Sequence, residues 1–265
     1  MPQMFRVGTL VAVALGAAAC AKETPLVNVA GTCSATFKAQ VCTWAHTRGD
    51  SLIDAGATVP LATIDSAPTA ATGDEMAWPP KADAVLDLPA SVQAKSGLTQ
   101  FTMYWEATGH PPAPYLTPHF DFHFYTTAVA DRAAITCADS TKPAALPEGY
   151  SLPDEVLPPD MAKMTGVSKL IGVCVPSMGM HSLPTAEMQT TAPFRGTMVI
   201  GYYQGKPIFI EPMISRAMLD EKKSFDLQIP TVPGLTSTYP RTFHAAFDTA
   251  SASYNFTYSN FAPGK

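Results

Sequence analysis

Pro118-His119-Phe120-Asp121-Phe122-His123-Phe124-Tyr125 alternates polar and aromatic side chains without a break. Successive residues of an extended strand point to opposite faces, so His119, Asp121, His123 and Tyr125 share one face and the three phenylalanines share the other. The phenylalanine side is a core face. The opposite side gathers two of the six histidines of the chain around a carboxylate, groups that ligate metals or move protons near neutral pH.

Outward from this strand the pattern repeats in shorter form. Residues 32–37, 41–44, 57–64, 84–88 and 98–106 are rich in β-branched and aromatic side chains and read as strands, and 169–175 reads as a buried one. Gln204-Gly205-Lys206 separates the apolar runs 194–203 and 207–214, a hairpin signal because glycine supplies the positive φ of a tight turn. Residues 242–261 alternate as a last hairpin. Helical composition is confined to 127–135, capped by Thr126 or Thr127 with Asp131 and Arg132 facing outward, and to a turn at 215–222. Residues 139–165 carry five prolines, and an irregular loop of that length is uncommon unless it covers a site or is mobile. The fold class is all-β with a minor α content: an antiparallel β-barrel or sandwich with one or two short helices.

The first residues carry Arg6, then an apolar run of small residues reaches Cys20. This is the pattern of a secretory signal over 1–19, too short to span a bilayer comfortably, and its ending resembles a bacterial lipoprotein box with Ala17 where Leu is usual. Cys20 is then the lipidated residue, 20–30 a tether, and 31–265 a single β-rich domain, exported and either anchored to a membrane of the cell envelope or secreted. The net charge of −5, without a basic stripe, excludes a nucleic-acid partner, and nothing in the sequence names a protein partner. Cys33, Cys42, Cys137 and Cys174 make two disulfides in an exported chain. Of three pairings, Cys33 with Cys42 and Cys137 with Cys174 is favoured, since the first two are close in sequence and each partner lies beside a β-like segment.

Spacing limits what the opening strand can hold. Same-face neighbours lie about 6.6 Å apart and next-but-one neighbours about 13 Å apart, so Asp121 can share an ion with either histidine more easily than the two histidines can share one. Glu211 sits in the apolar run Ile208-Phe209-Ile210-Glu211-Pro212-Met213. A carboxylate buried there must bind metal, hold a proton or pair with an arginine such as Arg195 or Arg216. His181 follows Met178-Gly179-Met180, thioethers that suit Cu(I) or simply fill a core. His110 lies in Trp105-Glu106-Ala107-Thr108-Gly109-His110-Pro111-Pro112, whereas His46 and His244 stand alone. No serine-hydrolase elbow, P-loop, dinucleotide fingerprint or zincin motif occurs.

The order W-x-x-x-G-H-x-P, Tyr115, P-H-F-D-F-H-F-Y, G-M-H and F-I-E-P-M-I resembles a largely uncharacterised family of exported bacterial proteins over roughly residues 83–229. That family usually places its later histidine in a G-Y-H-W-like context, where this chain has Gly179-Met180-His181-Ser182. The resemblance implies common company for His110, His119, Asp121, His123, His181 and Glu211, and no reaction.

The expected site is therefore a divalent transition metal (Zn, Cu, Mn or Fe) on Asp121, His123, His181 and Glu211, with His119 as a further ligand and His110 and Tyr125 holding the ligands in place. Two other functions fit the same residues. One is a non-catalytic barrel for a small apolar ligand; the other is a metal-free acid/base enzyme in which Asp121 orients a histidine and Glu211 carries the complementary proton.

Overall fold

The computed structural model describes residues 24–70, 77–190, 192–235 and 237–264. The expected signal, Cys20 and the first residues of the tether lie outside them. Two antiparallel sheets dominate. The first runs β1 (Leu26–Thr36), β2 (Ala39–Arg48), β3 (Ser51–Pro60), β16 (Ser253–Ser259), β15 (Thr242–Asp248), β13 (Phe225–Leu227). The second runs β4 (Ala84–Asp87), β5 (Gln100–Glu106), β6 (His119–Tyr125), β12 (Lys206–Ser215), β11 (Gly196–Tyr203), β10 (Met180–Pro184), β7 (Tyr150–Ser151). Two small ribbons pair β8 (Glu155–Val156) with β9 (Lys169–Leu170) and β14 (Thr238–Tyr239) with β17 (Ala262–Pro263). Neither large sheet closes on itself, so of the two all-β architectures expected the chain forms the sandwich.

The sheets meet through the phenylalanine face of β6. Phe122 lies 4.6 Å from Phe256 and Phe124 4.7 Å from Tyr258 between ring centroids, both partners belonging to β16 in the opposite sheet. Within its own sheet Phe120 packs on Trp105 and Phe124 on Phe101. Strand β5 repeats the alternation of β6. Phe101, Met103 and Trp105 enter the core, while Tyr104 stands opposite Asp121 and Thr102 opposite His123.

Several local expectations are revised. β1 begins at Leu26, so the last five residues of the stretch read as tether belong to the sheet. Five α-helices occur among the described residues rather than one or two, none longer than seven residues. In 169–175 only Lys169–Leu170 is strand, because the Asp154 carboxylate accepts the Gly172 N–H and the chain turns through a 3-10 segment at Ile171–Val173. The helix after β6, Val129–Ala133, has Ala128 at its N-cap and no side-chain cap, instead of Thr126 or Thr127. Arg132 does not face outward either: it is buried, its guanidinium 5.0 Å from the centre of the Tyr125 ring. So short a helix has no independent solvated face, and the cation is drawn to the aromatic ring.

The hairpin at Gln204-Gly205 forms, both residues having positive φ. Disulfides join Cys33 to Cys42 and Cys137 to Cys174. Such bonds form in an oxidising, extracellular-type compartment. No helix among the described residues is long and apolar enough to cross a membrane.

Candidate metal centre

The polar face of β6 is covered, not solvated: all seven residues of the strand are buried. Its cover comes from 107–118, which carries His110, and from the long segment between the helix after β6 and β10. The expected covering loop thus lies over the site, and its Leu157, Met161, Met164 and Thr165 line a cavity of about 370 Å³ above the strand. Trp78, Leu116, Val173 and Met178 complete an apolar wall, whereas Glu106, His110, Asp121, His181 and Glu211 supply polar groups.

His110, His119 and Asp121 form one tight group. The Nε2 atoms of the two histidines are 3.2 Å apart, and the Asp121 carboxylate is 3.2 Å from His119 and 3.4 Å from His110. Each ring has its Nδ1 on a backbone carbonyl, His119 on Thr117 at 2.6 Å and His110 on Pro111 at 2.8 Å. A carbonyl only accepts, so both Nδ1 atoms carry hydrogen, and each Nε2 turns a lone pair toward the carboxylate only once its ring gives up any proton held there. Gly109 makes this possible. With φ of +69°, it lets the chain fold back over β6 where a Cβ would lie 2.1 Å from the Tyr115 carbonyl oxygen.

His123, His181 and Glu211 form a second group, with one ligand atom from each lying within 4.8 Å of the others. Glu211 approaches His123 Nε2 at 3.5 Å. His181 reaches them from β10, two strands from β12, because its cross-strand neighbour Gly201 has no side chain and Phe209 lies in that space. Its Nδ1 donates to the Val173 carbonyl at 2.8 Å, leaving Nε2 free of hydrogen in the neutral ring. Tyr104, Tyr125 and Phe209 surround the His123 ring, Tyr125 stacking on it at 5.4 Å. Neither His123 nitrogen has a hydrogen-bond partner among the described residues, nor does Glu211 Oε2.

The structure thus divides the ligand set read from sequence. Asp121 is grouped with His110 and His119, apart from His123, His181 and Glu211. His110, expected behind the ligands, stands in the first group with an atom of ligand type facing the other two. Tyr125 stacks on His123 and belongs to neither group. Glu211 is not paired with arginine: Arg195 bonds Glu221, and Arg216 bonds Asp220 and Asp65. Met178 lines the cavity and Met180 sits in the sandwich core, outside both groups. His46 and His244 bond Asp54 and Asp226 away from the site. Sequence reading missed Tyr104, Arg132 and Glu106, although the alternation of β5 carried the signal for Tyr104 and Glu106.

Burial sets the charges in the metal-free chain. Burial opposes the Asp121 charge, but the two imidazoles facing it outweigh that and hold its carboxyl well below the usual range. Burial also opposes a His110 cation, yet hydrogen bonding and attraction to Asp121 push its pKa up to about 10. At the other group burial pushes His123 down and Glu211 well up, the Asp121 charge raising Glu211 further. Burial lowers His181 to about 4. A depressed histidine stabilises the fold fully above its unfolded pKa of about 6.5, and that stability is lost as pH falls toward the folded value. His181 is therefore expected to lower the melting temperature of metal-free protein between pH 6.5 and 4, against the opposite trend of the raised Glu211, and a His181→Gln variant to lose that contribution. Thermal melts in chelator across that range check it; parallel profiles for the two proteins would refute it.

Comparison with known protein families, curated proteins and solved structures finds no match, so the arrangement of these six side chains is the evidence on what the site does.

Proposed function

We propose that the chain is an exported protein, lipid-anchored to the envelope through Cys20, that binds a divalent transition metal on His110, His119 and Asp121 at the floor of an apolar cavity. One observation carries this reading: two histidine Nε2 atoms and a carboxylate meet at 3.2, 3.2 and 3.4 Å with both Nδ1 atoms turned away onto carbonyls. Donors bound tetrahedrally at about 2.0–2.1 Å lie about 3.3–3.4 Å from one another, the spacing of these contacts, in which His119 meets Asp121 Oδ1 and His110 meets Oδ2. The carbonyls fix tautomer and ring direction, as partners of metal-bound histidines do. Two imidazoles and one carboxylate suit Zn or Fe(II), with Mn and Cu as weaker fits.

Three protein ligands leave coordination positions open, and His110 and Asp121 both line the cavity. A metal bound there would supply Lewis acidity or an activated water. The residues of the chain would hold it, exclude bulk water with the walls of Met161, Met164 and Leu157, and admit a small apolar molecule bearing a metal-binding atom. The same walls favour a second reading, a non-catalytic site for a small apolar ligand. A bound lipid-like mass that survives chelation in native mass spectrometry would support it.

Elemental analysis of full-length protein purified without a histidine tag tests the metal. At least one ion per chain is expected, with loss of the tightest ion in His119→Gln and no loss in His244→Ala. Because His110 must shed the proton it shares with Asp121, binding is expected to release a proton and to tighten as pH rises toward about 10. Calorimetry in buffers of different ionisation enthalpy reads that proton. No metal as purified, and no uptake of Zn, Cu, Mn or Fe, would overturn the proposal.

A further inference from the structure

The triangle on His110, His119 and Asp121 leaves the neighbouring ligands unused. Glu211 and His123 are each 1% exposed, and their polar atoms are not satisfied by each other. A neutral imidazole has one N–H and one lone pair, yet both His123 nitrogens and Glu211 Oε2 lack partners among the described residues. Leaving such groups bare inside a protein is costly. His181 adds an Nε2 lone pair held in direction by the Val173 carbonyl, and His181 and Glu211 line the same cavity as the first group. Asp121 and His123 are same-face neighbours on β6, so the two groups stand side by side, about 6.6 Å apart at the backbone.

Building on the metal reading above, we propose that the chain holds two metal ions, the second between His123, His181 and Glu211, so that a cavity ligand meets a two-ion floor. The two sites are unequal. In the first group both histidines are oriented by backbone carbonyls, whereas in the second only His181 is. Loss of one such partner weakens metal binding about 10–100-fold, and the second ion follows the first by that margin.

Zinc titration of the untagged full-length chain, followed by calorimetry and by elemental analysis after dialysis, tests this directly. The expected result is two ions in two steps separated by about 10–100-fold. Glu211→Gln, which keeps the shape of the side chain, removes the weaker step and retains the tighter one, while His119→Gln does the reverse. One ion per chain that Glu211→Gln leaves untouched overturns the second site and leaves the first standing. One ion lost in both variants means a single shared ion and also overturns it. No ion at all defeats the metal reading together with this extension. The wild-type stoichiometry decides the matter even if a variant fails to fold.

Discussion

Phe122→Ala is expected to lower the free energy of unfolding by about 3–5 kcal/mol, a large part of the roughly 5–15 kcal/mol that holds a domain together. Phe122 is completely buried at the middle of β6. Its ring meets Phe256 of the opposite sheet at 4.6 Å and stacks between Phe101 and Phe120 at 6.1 and 5.7 Å. Truncation removes the contact that joins the sheets and leaves a void that aromatic neighbours on three sides cannot close. Val85→Ala, on the exposed side of β4 in the same sheet, should change stability by no more than about 0.5 kcal/mol. Urea unfolding in chelator measures both. A loss below about 1 kcal/mol for Phe122→Ala would show that the face between the sheets is not the main core.

Removing the Cys137–Cys174 disulfide by double alanine substitution is expected to cost about 4 kcal/mol, from the loop-closure entropy of a 37-residue separation. Cys33 and Cys42 are nine apart and already face each other across β1 and β2, so their bond constrains the unfolded chain less. The longer loop holds Leu157, Met161, Met164 and Leu170 of the cavity wall, and Cys174 adjoins Val173, whose carbonyl orients His181. The double variant should therefore also weaken any ion bound at His181 more than one bound at His119. Unfolding measurements with and without reductant give the first quantity, and metal titration of the variant gives the second. A drop below about 1 kcal/mol with unaltered binding would count against both parts.

The all-β class is readable in the sequence because alternation is a local property, whereas the choice of sandwich over barrel is not. In β6 and β5 it separates core from site residue by residue, and the Gln204-Gly205 turn and the cysteine spacing are equally local. The division of the site was not readable, since it depends on which strands become neighbours. Nothing in the order of residues says that β12 lies beside β6, bringing Glu211 to His123, or that the 107–118 segment folds back to set His110 on His119 and Asp121. The burial of Arg132 is hidden from the sequence for the same reason. Its five-residue helix takes its environment from Tyr125, a residue on another element.

Strand β6, buried on both sides, ties chemistry to folding in a way that constrains how this chain can change. Its two faces carry incompatible cargo, aromatic rings on one and the polar side chains of the candidate site on the other, and a one-residue insertion would exchange them. The histidines and aspartate would then enter the aromatic core, and the phenylalanines would fill the cavity floor. Single substitutions can change the polar side chains, but their spacing along the strand cannot drift, because any mutation that shifts it undoes the sandwich in the same step.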